Sequence, residues 1–247
     1  MQRTLFYSHM LFKSFLRWTY PEDCQICKNA LLLTEESICR SCFTLLKNIE
    51  PPACTGCGIE LAPYGKQTHK CSYCKRKHYA FDEMLTLFRY EEKFKKIIHE
   101  VKFHRKFWIL DIFRKKLKRH IKQQWADNAI PDTLIPVPLD KKRLQERKFN
   151  QSLLLAKIVS SELNAPIRND VLVRNKSHKP QSWLSRKERL KNTLEAFDIR
   201  PKASIDGKWI LLIDDVITTG STVQACAKKL KENGARKVSV LTLARTQ

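Results

Sequence analysis

Glycine is scarce in this chain of 247 residues, with six in all, and the scarcity excludes two common nucleotide-binding devices. There is no G-x-G-x-x-G turn to set a dinucleotide pyrophosphate against a helix, and no G-x-x-x-x-G-K-[ST] loop. Acidic residues are also few: 25 Asp and Glu stand against 47 Lys and Arg, a formal charge of +22. An excess of that size suggests polyanionic partners and says nothing of fold. No run approaches the roughly 18 uncharged apolar residues of a membrane span, so the chain is not expected to be transmembrane. Residues 1–20 mix Leu5, Phe6, Leu11, Phe12, Phe15, Leu16 and Trp18 with Arg3, Lys13 and Arg17 and show no small-residue cleavage site. They read as an amphipathic segment that packs on the protein, with a membrane-surface anchor as the alternative, rather than as a signal peptide. Apolar material is plentiful at 43%, enough for an ordinary core, which excludes a disordered tail and a tiny disulfide scaffold.

Of nine cysteines only Cys226 stands outside a C-x-x-C pair. Cys24-x2-Cys27-x11-Cys39-x2-Cys42 is followed by Cys54-x2-Cys57-x13-Cys71-x2-Cys74, a repeated four-cysteine unit. Two knuckles brought together offer four thiolates to one ion, and the repeat predicts two structural zinc ions in closed tetrahedral sites. A redox reading is weaker, because the first pair follows Pro21 in an irregular segment instead of a βαβ context. Spacing alone leaves open whether the knuckles pair in sequence or interleave. Reduced thiols in such number suit the cytoplasm, the expected location. His69 and His78 lie close to the second unit but are read as surface residues, since four sulfurs already fill a site.

Texture divides the chain into the N-terminal segment 1–20, a zinc-held region 21–80 and a second domain 81–247. In the last, 84–90, 133–137, 170–174, 208–213 and 237–243 read as strands. Residues 91–101, 108–125, 150–163, 186–193 and 221–233 read as helices. Alternation of strand and helix predicts an α/β domain with a mainly parallel sheet.

The sharpest pattern is Leu211-Leu212-Ile213-Asp214-Asp215-Val216-Ile217-Thr218-Thr219-Gly220-Ser221-Thr222. Two carboxylates end a strand and a hydroxyl-rich turn opens a helix, the two places where α/β proteins hold ligands and phosphates. Thr218, Thr219, Ser221 and Thr222 supply hydroxyls, Gly220 lets the backbone approach closely, and Asp214 and Asp215 can accept from vicinal hydroxyls. A ribose 5-phosphate satisfies both halves. An apolar strand followed by an ordinary Ser/Thr helix cap explains the acid pair poorly.

This stretch resembles the phosphoribosyl diphosphate motif of type I phosphoribosyltransferases. Leu134-Ile135-Pro136-Val137-Pro138-Leu139, Arg143, Arg147, Phe149-Asn150-Gln151, Arg174, Gln181, Arg189, Asn192 and Phe197 extend the likeness to the ComF family of competence proteins. Tyr90, Lys102-Phe103 and the double zinc ribbon at 24–74 match that family's layout, so the resemblance covers nearly the whole chain. Lys148 stands where members usually carry Gly. The resemblance implies a type I phosphoribosyltransferase-like α/β domain preceded by a small zinc-ribbon domain. It places Asp214 and Asp215 on ribose hydroxyls and Thr218, Thr219, Gly220, Ser221 and Thr222 around the 5-phosphate. Lys102, Arg143, Arg147, Arg174 and Arg189 are candidates for the diphosphate or for DNA. It further implies phosphoribosyl diphosphate with Mg2+, incoming single-stranded DNA in natural competence, and uptake machinery at the inner membrane. The alternative is an active phosphoribosyltransferase of nucleotide metabolism with an unknown acceptor.

The positive charge is concentrated in residues 81–125 and 140–191, where Phe103, Phe107, Trp108, Phe149 and Trp183 are interspersed. Cations along a groove with aromatics between them suit a single strand, whose bases stack while its phosphates are neutralised. Ordinary solvated helix faces over core aromatics are the competing explanation. Cys226 is expected to be a buried small hydrophobe. His99 and His104 are expected to be solvated, and the segment around His178 to form a loop covering the site.

Overall fold

The computed structural model describes residues 22–32, 34–62, 70–76, 78–125, 130–175, 196–201 and 203–247. Among the described residues, those up to Lys47 join Glu91–Ile112 in one unit, and Asn48–Tyr90 joins Phe113–Gln247 in a second.

The first unit holds helix α1 (Arg40–Thr44) and helix α3 (Glu92–His104). Phe94, Ile97, Ile98 and Val101 recur at helical spacing and are all buried, which gives α3 its apolar face. Arg105, in the left-handed conformation at φ 56°, ends it. The helix expected over 108–125 is instead a 3-10 turn, Phe107–Phe113, followed by α4, Arg114–Gln124. The run Phe-Trp-Ile-Leu-Asp-Ile-Phe explains the difference. Its aromatic and β-branched side chains are poor helix formers, and burying Ile109, Leu110 and Phe113 while exposing Phe107 and Trp108 suits the tighter turn.

The second unit contains α2 (Ser72–Arg76), β1 (Glu83–Arg89), α4, β2 (Thr133–Pro136), α5 (Lys141–Arg147) and α6 (Gln151–Leu163). It continues with β3 (Leu172–Arg174), β4 (Phe197–Ile199), β5 (Trp209–Ile217), α7 (Ser221–Glu232) and β6 (Lys237–Arg245). Its main sheet runs β1-β6-β5-β2, every pair parallel, and β3 pairs antiparallel with β4. The central strands β5 and β6 are buried on both faces, as the unbroken apolar run of β5 requires. Leu211, Leu212, Ile213, Val238, Val240 and Leu241 are fully excluded from water, each contributing about 1.5–3 kcal/mol by burial.

Strand β5 does not stop at the acids. It carries Asp214 opposite Thr242 and runs to Ile217 opposite Arg245, because β6 is long enough to keep pairing. Helix α7 then buries Val223, Ala225, Cys226, Ala227 and Leu230 and ends before Gly234, at φ 90°, where a Cβ would collide with Asp206. The helix read at 186–193 lies outside the described residues. No described helix is long and apolar enough to cross a membrane.

Candidate functional site

Each cysteine repeat begins as a knuckle with the same hydrogen bonds. Cys24 N–H donates to Asn29 O and Lys28 N–H to Cys24 O; Cys54 N–H donates to Ile59 O and Gly58 N–H to Cys54 O. The residue after the second cysteine takes positive φ in both, 64° at Lys28 and 69° at Gly58. The knuckles pair in sequence and do not interleave. The sulfurs of Cys24, Cys27, Cys39 and Cys42 converge within 4.8 Å, as do those of Cys54, Cys57, Cys71 and Cys74.

A zinc ion at about 2.3 Å from four sulfurs requires tetrahedral edges of about 3.8 Å. Cys27 and Cys39 lie 3.7 Å apart and Cys57 and Cys71 3.8 Å, so both sets fit the ion. Backbone N–H groups of Cys39 and Cys42 point at Cys24 and Cys39 sulfurs, and those of Cys71 and Cys74 repeat the arrangement on Cys54 and Cys71. Burial opposes ionisation of Cys24, yet the N–H groups of Cys27, Cys39 and Ile26 bring its thiol down to about 6. The Cys57 side chain and neighbouring N–H groups bring Cys54 to about 4. Zinc in these sites is structural, with all four positions taken by sulfur. His78 is exposed and joins neither set; His69 lies outside the described residues.

The acid pair sits at the end of β5 nearest α7. Asp214 is 8% and Asp215 4% exposed, and sinking two adjacent carboxylates costs several kcal/mol per ion unless they are met by donors or cations. Ser152 Oγ and the Asp215 N–H both donate to Asp214 Oδ1 at 2.9 Å. Gln151 Nε2 donates to Asp215 Oδ1 at 3.4 Å, and Thr242 Oγ1 donates to Asp215 O at 3.0 Å. Asn150 sets these donors in place: its side chain caps α6 at Ser152 N–H and donates to Val137 O, tying the helix to the segment after β2.

Cations gather around the acids. Burial, and then the charge of Arg143, draws the Arg147 guanidinium below its usual range while Asp215 pulls the other way; Arg174 is drawn down by the same two causes and supported by Asp140 and Asp214. An arginine stays protonated at neutral pH regardless. Arg143 stands on α5 in an ion pair with Asp140 at 3.5 Å, and Arg174 packs over the Phe197 ring. Lys102 lies on α3 in the first unit, and Arg189 lies outside the described residues.

The loop that follows is open. Thr218 and Thr219 are exposed, and Gly220, Ser221 and Thr222 are half-buried. Thr219 Oγ1 and Ser221 Oγ are 3.0 Å apart. Gly220 adopts φ 76° as the N-cap of α7, a conformation that side chains resist; a Cβ there would meet only Ile217, so conformation and not crowding demands glycine.

Sequence reasoning named Gln151 without a role and missed Ser152 and Thr242. The available signal was polarity at positions the helix and strand patterns bury. It also missed α5, whose Lys-Lys-Arg-Leu-Gln-Glu-Arg holds one apolar residue and hence no periodic face; its only mark is the Asp140 cap, which accepts from Arg143 N–H at 2.8 Å. Cys226 is fully buried, which pushes its thiol well up, as a core residue should be.

Residues 15–76 match the double zinc ribbon domain and residues 150–247 the phosphoribosyl transferase domain. With the parallel sheet and the two sulfur tetrads, these define a double zinc ribbon followed by an α/β domain of type I phosphoribosyltransferase fold. The chain is 31% identical to Competence protein F of Haemophilus influenzae over 90% of this chain and 96% of that one. It is 30% identical to DNA utilization protein YhgH of Escherichia coli over 92% and 99%, and 30% identical to Competence protein ComFC of Bacillus subtilis over 87% of each. It belongs to the ComF family of competence proteins.

Proposed function

We propose that this chain binds phosphoribosyl diphosphate, or a related ribose phosphate, at Asp214, Asp215 and residues 218–222, and that it handles incoming single-stranded DNA in natural competence. One observation carries the ligand assignment: a buried acid pair, held by donors from α6, leads directly into an open hydroxyl-rich turn at the start of α7. The acids accept from the ribose hydroxyls, and the turn receives the 5-phosphate at the positive end of the helix. Arg143, Arg147 and Arg174 face the diphosphate. Carboxylates and hydroxyls are a donor set that suits Mg2+, which when bound would neutralise charge between diphosphate and ribose.

A second reading, transfer of the ribose phosphate to an acceptor, rests on the same acid pair, since such chemistry needs positioning and charge stabilisation more than a dedicated nucleophile. The DNA reading draws on the names of the relatives and on the first unit. There Phe103, Phe107 and Trp108 are 62%, 49% and 51% exposed among Lys102, His104, Arg105 and Lys106, a pattern that serves base stacking and phosphate neutralisation together. Trp183 lies outside the described residues. Such work belongs in the cytoplasm, beside uptake machinery at the inner membrane.

Calorimetry with phosphoribosyl diphosphate and Mg2+ tests the site. Wild type is expected to bind, and Asp214→Ala with Asp215→Ala to abolish binding with zinc content unchanged; equal affinity in the double variant refutes the assignment. Fluorescence anisotropy with an unstructured oligonucleotide is expected to show affinity falling steeply with salt. No binding at low salt removes the DNA role.

A further inference from the structure

The first two residues of α6 are polar, buried and aimed at the acid pair, which a helix start does not itself require. Gln151 is 4% exposed and Ser152 1%. Capping is done by Asn150, so the two side chains are spare. Ser152 braces Asp214. Gln151 works in two directions: its Oε1 accepts from Arg147 Nη1 at 3.3 Å, and its Nε2 donates to Asp215 Oδ1 at 3.4 Å. Arginine only donates and a carboxylate only accepts, so the two neighbours fix the amide's orientation.

We infer that Gln151 is a positioning residue that joins Arg147 to Asp215 while keeping the two from closing on each other. This rests on the ribose-phosphate reading of the site. Arg147 is half-buried and Asp215 buried, and opposite charges partly removed from water attract more strongly than in bulk solvent. Closed into a direct ion pair, each would satisfy the other and be withdrawn from a ligand. With an amide between them, each keeps a long hydrogen bond to Gln151 that a ligand can replace: a phosphate oxygen takes the guanidinium, and a ribose hydroxyl donates to the carboxylate. Gln151 thereby links the phosphate-chain half of the site to the hydroxyl half, and a ligand carrying both groups is favoured over one carrying either.

Two substitutions separate this role from simple support. In Gln151→Ala the spacer is lost, and affinity for phosphoribosyl diphosphate with Mg2+ is expected to fall tenfold or more. Gln151→Glu keeps an acceptor for Arg147 but sets a second carboxylate against Asp215. Like charges disfavour ionisation, so the acid limb of the binding–pH profile is expected to move up by about one pH unit or more, with alkaline affinity closer to wild type. Calorimetry from pH 4.5 to 8.5 reads both effects, and thermal melts confirm folding; Gln151→Met, which conserves shape, replaces the alanine variant if that is unstable. Folded variants that bind within twofold of wild type with an unshifted acid limb overturn the inference and leave the site assignment standing. A wild type that does not bind, or an Asp214→Ala, Asp215→Ala protein that binds equally well, overturns the site assignment and this inference with it.

Discussion

The two zinc ribbons are built on one plan and used differently. Hairpin bonds, the positive φ after the second cysteine, and N–H groups aimed at sulfur recur in both. The second ribbon, however, is knitted into the sheet of its own unit. Met84 N–H donates to Thr55 O, Arg245 donates to Cys57 O, Arg89 pairs with Glu60 at 2.7 Å, and Tyr79 stacks on Phe81. Gly58 packs so closely on Thr86 that a Cβ would lie 2.7 Å from its Oγ1. The first ribbon keeps Cys27 exposed and carries Lys28 at the matching turn, while Cys57 is buried. A sulfur tetrad thus closes a small unit in one case and forms part of the α/β domain's fabric in the other.

The largest expected difference comes from breaking each tetrad. Apparent zinc binding contributes about 10–16 kcal/mol to folding of a structural site. Cys57→Ser is expected to remove one zinc and unfold much of the second unit, abolishing phosphoribosyl diphosphate binding. Cys27→Ser is expected to remove one zinc and leave that binding within about twofold. Metal analysis with calorimetry on the same samples checks both, and equal effects erase the contrast.

The turns after the second cysteines give the next contrast. Gly58→Ala combines left-handed strain with the clash on Thr86 and is expected to lower stability by about 2–4 kcal/mol. Lys28→Gly relieves strain but loosens the unfolded chain, for a net gain of about 0–1 kcal/mol. Denaturant melts measure both changes. Lys148, at φ 66° after α5, is a third position of this kind. Its replacement by Gly is expected to be neutral or stabilising by about 1 kcal/mol.

A smaller effect belongs to the second unit's carboxylates. Burial works against ionisation of Glu83, but hydrogen bonds from Lys237, Ser239 and Trp125 outweigh it and hold its pKa below the usual 4.5. With the folded value depressed, its stabilisation is complete above pH 4.5 and is lost as the pH falls through the folded value. Glu83→Gln is therefore expected to flatten the acid side of the second unit's stability curve below pH 4.5. An unchanged slope removes Glu83 from the account.

Legibility followed the kind of signal each element leaves. The cysteine repeat, the apolar strand with its acids and the Thr-Thr-Gly-Ser-Thr turn are local patterns, and residue types alone expose them. Helix α5 left no apolar period, and the 3-10 turn at Phe107–Phe113 hid within a pattern that also suits an α-helix. Ser152, Gln151 and Thr242 act across the fold on residues far along the chain, so only tertiary structure reveals them. The second ribbon's attachment was hidden for the same reason: Cys57 meets Arg245 and Gly58 meets Thr86 through folding, not through spacing.

The central claim is that the second ribbon belongs to the unit that carries the acid pair and the first does not. A graded chelator titration that follows zinc content and phosphoribosyl diphosphate binding on the same samples tests it directly. The first site, with Cys27 exposed, should empty first with binding intact, and binding should vanish as the second zinc leaves. Binding that falls with the first zinc, or survives loss of both, contradicts the claim.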